Sequence, residues 1–404
     1  MIKRDLLVKL NNEFDKSHIT ALIGARQVGK TTLLKQLFEQ VKNESVFINF
    51  DKVEILNLFN DNIELFIKQY ILPYKYIFID EIQYSNKSGK YLKYILDDFN
   101  KKIFISGSST PELSIKTISY LVGRIRIFNI PGISFKEFIE YNDKTKLVLL
   151  NDLNSQSGLK QLNNLFEEYL LFGSYPAVIV EKNTEDKKQI LKDIINTYLL
   201  KEIREILQFK DSYKFEFFLK RLSLSDGKLV NYSNISKDAD LQLRQIKEMI
   251  NILEKTFIIS IIQPYQDNKI KELIKSPKLY YSDLGFKNSL INNFSNMSLR
   301  LDKGEILEHF ILNFLISNNE KINFWNYKNE YEVDFVYEKD GLMNAIEIKS
   351  RLNNLKVTTS MKKFIDSYAP KQLFVFNENL DGELFYNDTK IIFTNYINIY
   401  SLLK

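Results

Sequence analysis

The sequence predicts an α/β fold built on a mostly parallel sheet, and three observations predict it. Short apolar runs alternate with helix-like segments over residues 1–140. A glycine-containing turn at residues 24–31 joins one such run to a helical stretch. The middle of the chain is then helical, and strand-like runs return near its end.

The strand candidates of the first part are ITALIG (19–24), SVFINF (45–50), YIFID (76–80), KIFISG (102–107) and RIRIFNI (124–130). Together they define a core over residues 1–144. From 145 to 220, LNNLFEEYLLF and DIINTYLLKEIREILQF place apolar residues at three- and four-residue spacing, with a Gly/Pro break, GSYPAVI, between them. Residues 221–295 read as helix, turn, helix and then a strand, KTFIISIIQPY. Residues 296–404 begin with a helix, GEILEHFILNFLI. Strands follow at INFWNY, YEVDFVY and MNAIEIK, then a helix near 357–368 and the strand QLFVFN. A tight turn at KDG makes the second and third of these strands a hairpin.

Composition narrows the chemistry. The 404 residues include no cysteine, which excludes disulfides, Cys-ligated zinc and thiol catalysis. His18 and His309 are the only histidines, too few for a histidine metal cage, so a metal here is expected to be a hard cation on carboxylates. The net charge of +5, from 56 basic and 51 acidic residues, permits nucleic-acid binding without arguing for it. No apolar run approaches the roughly 18 residues needed to cross a bilayer, and the expected location is the cytoplasm.

GARQVGKT (24–31) satisfies G-x-x-x-x-G-K-[ST] at every fixed position, after a strand and before a helix. Gly24 and Gly29 let the backbone turn so that its N–H groups face phosphate oxygens, at a helix N-terminus that favours anions. Gly24, Ala25, Arg26, Gln27, Val28, Gly29, Lys30, Thr31 and Thr32 form the expected ATP cradle. Lys30 is placed to bridge the β- and γ-phosphates, and the Thr31 hydroxyl to ligate Mg²⁺. YIFIDEIQ (76–83) brings carboxylates to the end of a buried strand. Asp80 is expected to hold Mg²⁺ through water, and Glu81 to orient and deprotonate the attacking water. Ser106 or Ser108 is a candidate contact for the γ-phosphate or water, the alternative being a turn that only ends a strand. Arg124 and Arg126 either stabilise transition-state charge or are solvated on a strand face.

These segments carry a family resemblance. GARQVGKTTLL, FIDEIQ, ISGSS, LVGRIRIFNIPGISFKEF, EEYLLFGSYPAV, PKLYYSDLGF, GEILEHFI and YEVDFVY…AIEIKS occur in an order that resembles prokaryotic AAA-type ATPases. These lie within the broader group of archaeal and STAND-like ATPases and carry a C-terminal domain of unassigned function. The resemblance implies ATP binding and hydrolysis in an AAA-type P-loop NTPase core (1–144). It also implies a helical lid (145–220), a winged-helix-like segment (221–295) and a restriction-endonuclease-like α/β domain (296–404). Where the family often has Arg-Asp in the lid, this chain has Lys201-Glu202, which keeps the charges and changes the side-chain geometry.

Within the winged-helix-like segment, Gln242, Arg244, Gln245 and Lys247 are candidates to face DNA; the alternative is a packing or protein-docking module. In the last domain, strand alternation puts Glu347 and Lys349 of AIEIKS on one face. The hairpin brings Asp334 beside them, and Glu308 lies on the preceding helix. This is the D…E-x-K order of restriction-type (PD-(D/E)xK) nucleases. Glu308, Asp334 and Glu347 are the expected Mg²⁺ ligands, with Glu347 and Lys349 catalytic. The alternatives are a non-cleaving fold whose charges bind DNA, metal or a partner, or a plain solvated strand.

Two functions stay open. In one, ATP turnover gates binding or cleavage of nucleic acid, DNA first. In the other, ATP switches the conformation of an interaction protein whose nuclease-like domain is silent. Candidate partners are therefore nucleic acid, a second protein and further copies of this chain.

Overall fold

The computed structural model describes residues 2–403 apart from 109–117, 151–155, 267–271, 273–274 and 319–320. The chain divides into two compact units.

The first comprises residues 1–133, 175–177 and 251–258. Its sheet has five strands: β1 (Ile19–Gly24), β2 (Ser45–Asn49), β3 (Tyr76–Asp80), β4 (Lys102–Ser108) and β5 (Ile125–Asn129). They are ordered β2-β3-β4-β1-β5, and every pairing is parallel. Parallel strands need crossovers and covered faces, which is why β1, β3 and β4 are buried along their whole length and mostly apolar before their polar carboxyl ends. The helix Lys30–Gln40 buries Leu33, Leu34 and Leu37. Ile19, Ala21, Ile77, Ile79, Ile103 and Ile105 point into a core that also holds Phe59 and Phe66. Register sets Gly24 beside Ser108 and Asn49 beside Asp80, so the carboxyl ends of four strands share one edge. Ligands gather at that edge in open α/β sheets.

The second unit comprises residues 134–174, 178–250 and 259–404. Its helices include Gln156–Phe172, Thr184–Ile194, Ser212–Ser223, Tyr232–Asp238 and Lys303–Ser317, as well as the start of Leu243–Lys255. An eight-stranded sheet is built from β6 (Ile259–Pro264), β7 (Lys278–Tyr281), β8 (Ile322–Tyr327), β9 (Tyr331–Lys339), β10 (Leu342–Ile348), β11 (Gln372–Asn377), β12 (Gly382–Tyr386) and β13 (Thr389–Asn395). The order is β12-β13-β11-β10-β9-β8-β6-β7. β8, β9 and β10 form an antiparallel meander; the helix Thr359–Tyr368 then returns the chain to β11, parallel to β10. Asp340 and Gly341 turn between β9 and β10 with φ of 52° and 74°, the left-handed pair that a two-residue hairpin requires. Trp325, Val333, Ala345, Phe364 and Val375 belong to the core beneath.

Two segments quoted for the family resemblance meet inside this unit. Asp283 caps the helix Leu284–Leu290 by accepting from Phe286 N at 2.7 Å, and also accepts from Ser174 N at 2.6 Å and Ser174 Oγ at 2.7 Å. Gly285 packs so closely that an added Cβ would lie 2.0 Å from the Phe172 carbonyl oxygen. Phe172–Ser174 and Asp283–Gly285 are therefore two halves of one backbone junction. The structure also has strands that the sequence reading did not place: β7, β12 and β13.

Candidate functional sites

The phosphate loop has the expected local geometry. Gly29 takes φ of 97° and Gln27 takes 63°. Gly24 has no room for a side chain, because an added Cβ would lie 2.5 Å from the Ile130 carbonyl oxygen. The next helix begins at Lys30, a buried lysine whose Nζ donates to the carbonyls of Gly24 (3.1 Å) and Ala25 (2.7 Å). Burial pulls its pKa down to about 8, with Glu81 and Asp80 opposing and Arg26 assisting. The Thr31 hydroxyl donates to Asp80 Oδ1 at 3.2 Å, and Ser106 Oγ donates to the same oxygen. Glu81 has a left-handed backbone, φ 58° and ψ 43°, and its carboxylate accepts from the Gln83 side chain. An outlier of that kind costs of order 1 kcal/mol and is typical of functional turns.

The residues fit a magnesium nucleotide. The Ser108 hydroxyl is buried with no hydrogen-bond partner among the described residues, beside Gly24 at the end of β4. Together with the lysine folded onto its own loop and the glycine cradle, it is a set of donors facing one edge. Residues 24–32, Asp80, Glu81, Ser106 and Ser108 all belong to that edge. Arg124 and Arg126 do not. They flank the start of β5, whose residue Ile125 pairs with Ile19 at the opposite end of β1. Arg124 pairs with Asp97 at 2.8 Å on the surface, and Arg126 pairs with the buried Glu13 at 2.9 Å, so both serve ion pairs away from that edge.

In the second unit the hairpin brings Asp334 and Glu347 together. Ile346 pairs with Phe335, so the next facing positions are Glu347 and Asp334, on one side of the sheet. Asp334 Oδ2 accepts from Ile348 N at 2.7 Å. Lys349 Nζ lies 2.5 Å from Glu347 Oε1, while Glu347 Oε2 is buried without a hydrogen-bond partner among the described residues. Glu308, from the helix Lys303–Ser317, joins them electrostatically. Burial, opposed by Lys278 and reinforced by Asp334, pushes Glu308 up to about 7. Burial and Asp334 push Glu347 up to about 8 against the pull of Lys349.

Glu308, Asp334 and Glu347 are the residues expected to hold Mg²⁺. Glu308, Asp334 and Glu347 converge as carboxylates, but among the described residues no group of three or more acidic or histidine side chains is arranged to hold a metal ion. The cation in their midst is Lys278. Only 3% exposed, it places Nζ 2.9 Å from Glu308 and 2.5 Å from Glu332. Tyr280, two residues along β7, donates its hydroxyl to Glu308. Sequence reasoning missed both. The signal was present in KLYY, where alternation puts a lysine and a tyrosine on one face of a short strand. Beside this cluster, Asp226 accepts from Tyr281 N at 2.6 Å and pairs with His309 Nδ1 at 2.9 Å and Lys287 at 3.5 Å.

Of the candidate DNA-facing residues, Gln242 and Arg244 are exposed. Gln245 is occupied at the helix start, where its Oε1 accepts from Gln242 N at 3.0 Å. Lys247 Nζ lies 5.7 Å from the Tyr232 ring centroid. The side chains of Lys201 and Glu202 lie outside the described residues.

Residues 16–139 match the AAA domain family. Residues 163–297 and 303–397 match two families described as domains of unknown function, DUF8612 and DUF4143. An uncharacterized protein of Methanocaldococcus jannaschii is 27% identical over 402 residues, covering 96% of this chain and 86% of that protein. One of Haemophilus influenzae is 23% identical over 389 residues, covering 91% and 92%. Among solved structures, AMPPCP-bound DnaA from Aquifex aeolicus is 14% identical with a TM-score of 0.29, covering 71% of this chain and 92% of that one. The RuvB Holliday junction branch migration motor of Thermotoga maritima is 16% identical with a TM-score of 0.32, covering 67% and 95%. Both structural likenesses are partial. Residues 16–139 are thus similar to an AAA domain, a class of ATP-binding domain, and residues 24–31 have a backbone geometry that suits phosphate.

Proposed function

We propose that this chain hydrolyses ATP with Mg²⁺ in its first unit and uses the cycle to drive or gate action on nucleic acid by its second. The observation that carries the first half is the convergence of Thr31 and Ser106 on Asp80 Oδ1, next to the buried Lys30. Lys30, Thr31 and Asp80 would hold the magnesium nucleotide, which supplies a polarised γ-phosphoryl group. Lys30 leaves the Gly24 and Ala25 carbonyls for phosphate oxygens. Asp80 keeps the Thr31 and Ser106 hydroxyls oriented. Glu81 takes the proton of the attacking water. Ser108 donates at the edge of the γ-phosphate position.

For the second half, support comes from the helix-turn-helix Tyr232–Asp238 and Leu243–Lys255 followed by strands β6 and β7, the order of a winged helix. Helix Lys303–Ser317, the β8–β10 meander, helix Thr359–Tyr368 and parallel β11 follow the order expected of the nuclease-like domain. Lys278 favours a second reading of that domain, in which its site is charge-closed and does not cleave. Incubation of purified protein with mixed DNA and RNA, with and without Mg²⁺ and ATP, separates the two. Cleavage that needs Mg²⁺ and disappears in Asp334→Ala and Glu347→Ala supports the nuclease. ATP turnover without any cleavage supports the silent domain.

A further inference from the structure

The second unit contains a cleft of about 760 Å³, and its lining is one-sided in charge. Lys247 comes from the helix Leu243–Lys255, Lys275 from the approach to β7, and Lys328 from the turn after β8. Among the described lining residues there is no aspartate or glutamate. Three ammonium groups from separate segments facing one concave space repel one another. All three are exposed, so water screens that repulsion, and together they give the cleft a positive potential that attracts an anion.

The walls add a second kind of contact. Tyr232 is half-buried in the lining, with Lys247 Nζ over its ring at 5.7 Å. Asn231, Ser233, Asn326 and Asn329 supply amide and hydroxyl groups. An aromatic face, lysines and neutral hydrogen-bonding groups in a cleft are what a nucleic-acid strand uses: stacking for bases, cations for phosphates. The volume suits roughly one to two nucleotides by comparison with ligand pockets of ~300–1,000 Å³.

The cleft also leads somewhere. Asn326 Nδ2 donates to Glu332 Oε2 at 3.2 Å, and Glu332 pairs with Lys278 at 2.5 Å. Phe324 lines the cleft, and its ring centroid lies 5.4 Å from Lys278 Nζ. One wall of the cleft is thus shared with the carboxylate–lysine cluster of Glu308, Asp334 and Glu347.

We infer that this cleft binds a single-stranded segment of nucleic acid, with Lys247, Lys275 and Lys328 on its phosphates and Tyr232 against a base. The inference rests on the nucleic-acid reading proposed above and names its substrate class.

The test uses the full chain in EDTA, without ATP, so that neither cleavage nor turnover enters. Binding of a fluorescein-labelled oligothymidylate is followed by anisotropy across a salt series. The wild type should bind, and Lys247→Ala/Lys275→Ala/Lys328→Ala should bind about tenfold or more weakly. Its slope of log K against log salt should be smaller by about one, from ~0.7 per single-strand phosphate contact over the roughly one to two phosphates the cleft holds. Tyr232→Leu should weaken binding without changing that slope, whereas Tyr232→Phe should retain it. Because the three lysines are side chains on the surface of the cleft, a circular-dichroism melt of the triple variant should match the wild type. An unchanged affinity and slope in the triple variant overturns the cleft while leaving nucleic-acid binding elsewhere intact. Binding of duplex or of inorganic polyphosphate as tight as that of the oligothymidylate overturns the single-strand assignment. No binding of any nucleic acid by the wild type overturns the broader reading as well.

Discussion

Lys278 Nζ lies 2.9 Å from Glu308 Oε1, inside the cluster of buried carboxylates that also includes Asp334 and Glu347. The lysine is buried, and β7 delivers it from outside the hairpin that bears Asp334 and Glu347. Four carboxylates, Glu308, Glu332, Asp334 and Glu347, interact there with only two ammonium groups, Lys278 and Lys349. The shortfall is met in part by protons, since burial raises the pKa of Glu308 and Glu347 into the neutral range.

Removing that lysine should therefore expose a demand for positive charge. Lys278→Met should lower stability by about 3–5 kcal/mol, the usual cost of breaking a buried ion pair from one side. Added Mg²⁺ or Mn²⁺ should restore much of the lost melting temperature in the variant and little in the wild type. A variant as stable as the wild type, or one indifferent to divalent ions, would show that Lys278 is not the counter-charge of this cluster.

The junction between Gly173 and Gly285 predicts a steric effect. Gly285→Ala sets a methyl group 2.0 Å from the Phe172 carbonyl oxygen, a backbone atom that cannot rotate away. The expected loss is about 3 kcal/mol or more, read from urea unfolding of the second unit. A loss under about 0.5 kcal/mol would mean the junction opens freely.

Acid should weaken the second unit through Asp302. Burial pushes this carboxyl up, but Arg300 at 2.8 Å and Lys287 at 3.4 Å win and hold it at about 2, below its ordinary 3.8. A depressed carboxyl pKa contributes stability that is present above the ordinary value and lost as pH falls through the folded one. Between about pH 4 and pH 2 the wild type should lose about 1–2 kcal/mol by this route, after allowance for solvent screening. Asp302→Asn should be less stable at neutral pH and flatter across that window. Equal acid slopes in the two proteins would remove Asp302 from the account.

Much of this was legible in the sequence, for physical reasons that differ by element. β1 and β3 were readable because a parallel strand buried on both faces is a continuous apolar run. The hairpin of β9 and β10 was readable from alternation and from the Asp340-Gly341 turn. β7 was not, because a run of four residues is too short to stand out as a strand, even though its alternation puts Lys278 and Tyr280 on one face. Lys278 was missed with it. A local pattern named Glu308, Asp334 and Glu347, but the cation among them arrives by a long-range pairing. β12 and β13 were missed for a related reason. Gly382 and the polar Asn387-Asp388 turn interrupt the apolar pattern, and only pairing with β11 makes β13 a buried strand.

ATP turnover tests the central claim most directly. Phosphate release from ATP with Mg²⁺ should be measured for wild type, Lys30→Ala and Glu81→Gln, alongside binding of a fluorescent ATP analogue, with and without nucleic acid. The account predicts turnover in the wild type that responds to nucleic acid. Lys30→Ala should lose turnover and most binding, because the loop loses its charge on the phosphates. Glu81→Gln should bind like the wild type and release phosphate at least about a hundredfold more slowly, the usual worth of a general base. Wild-type turnover in Glu81→Gln, or a wild-type rate indifferent to every nucleic acid offered, would contradict it.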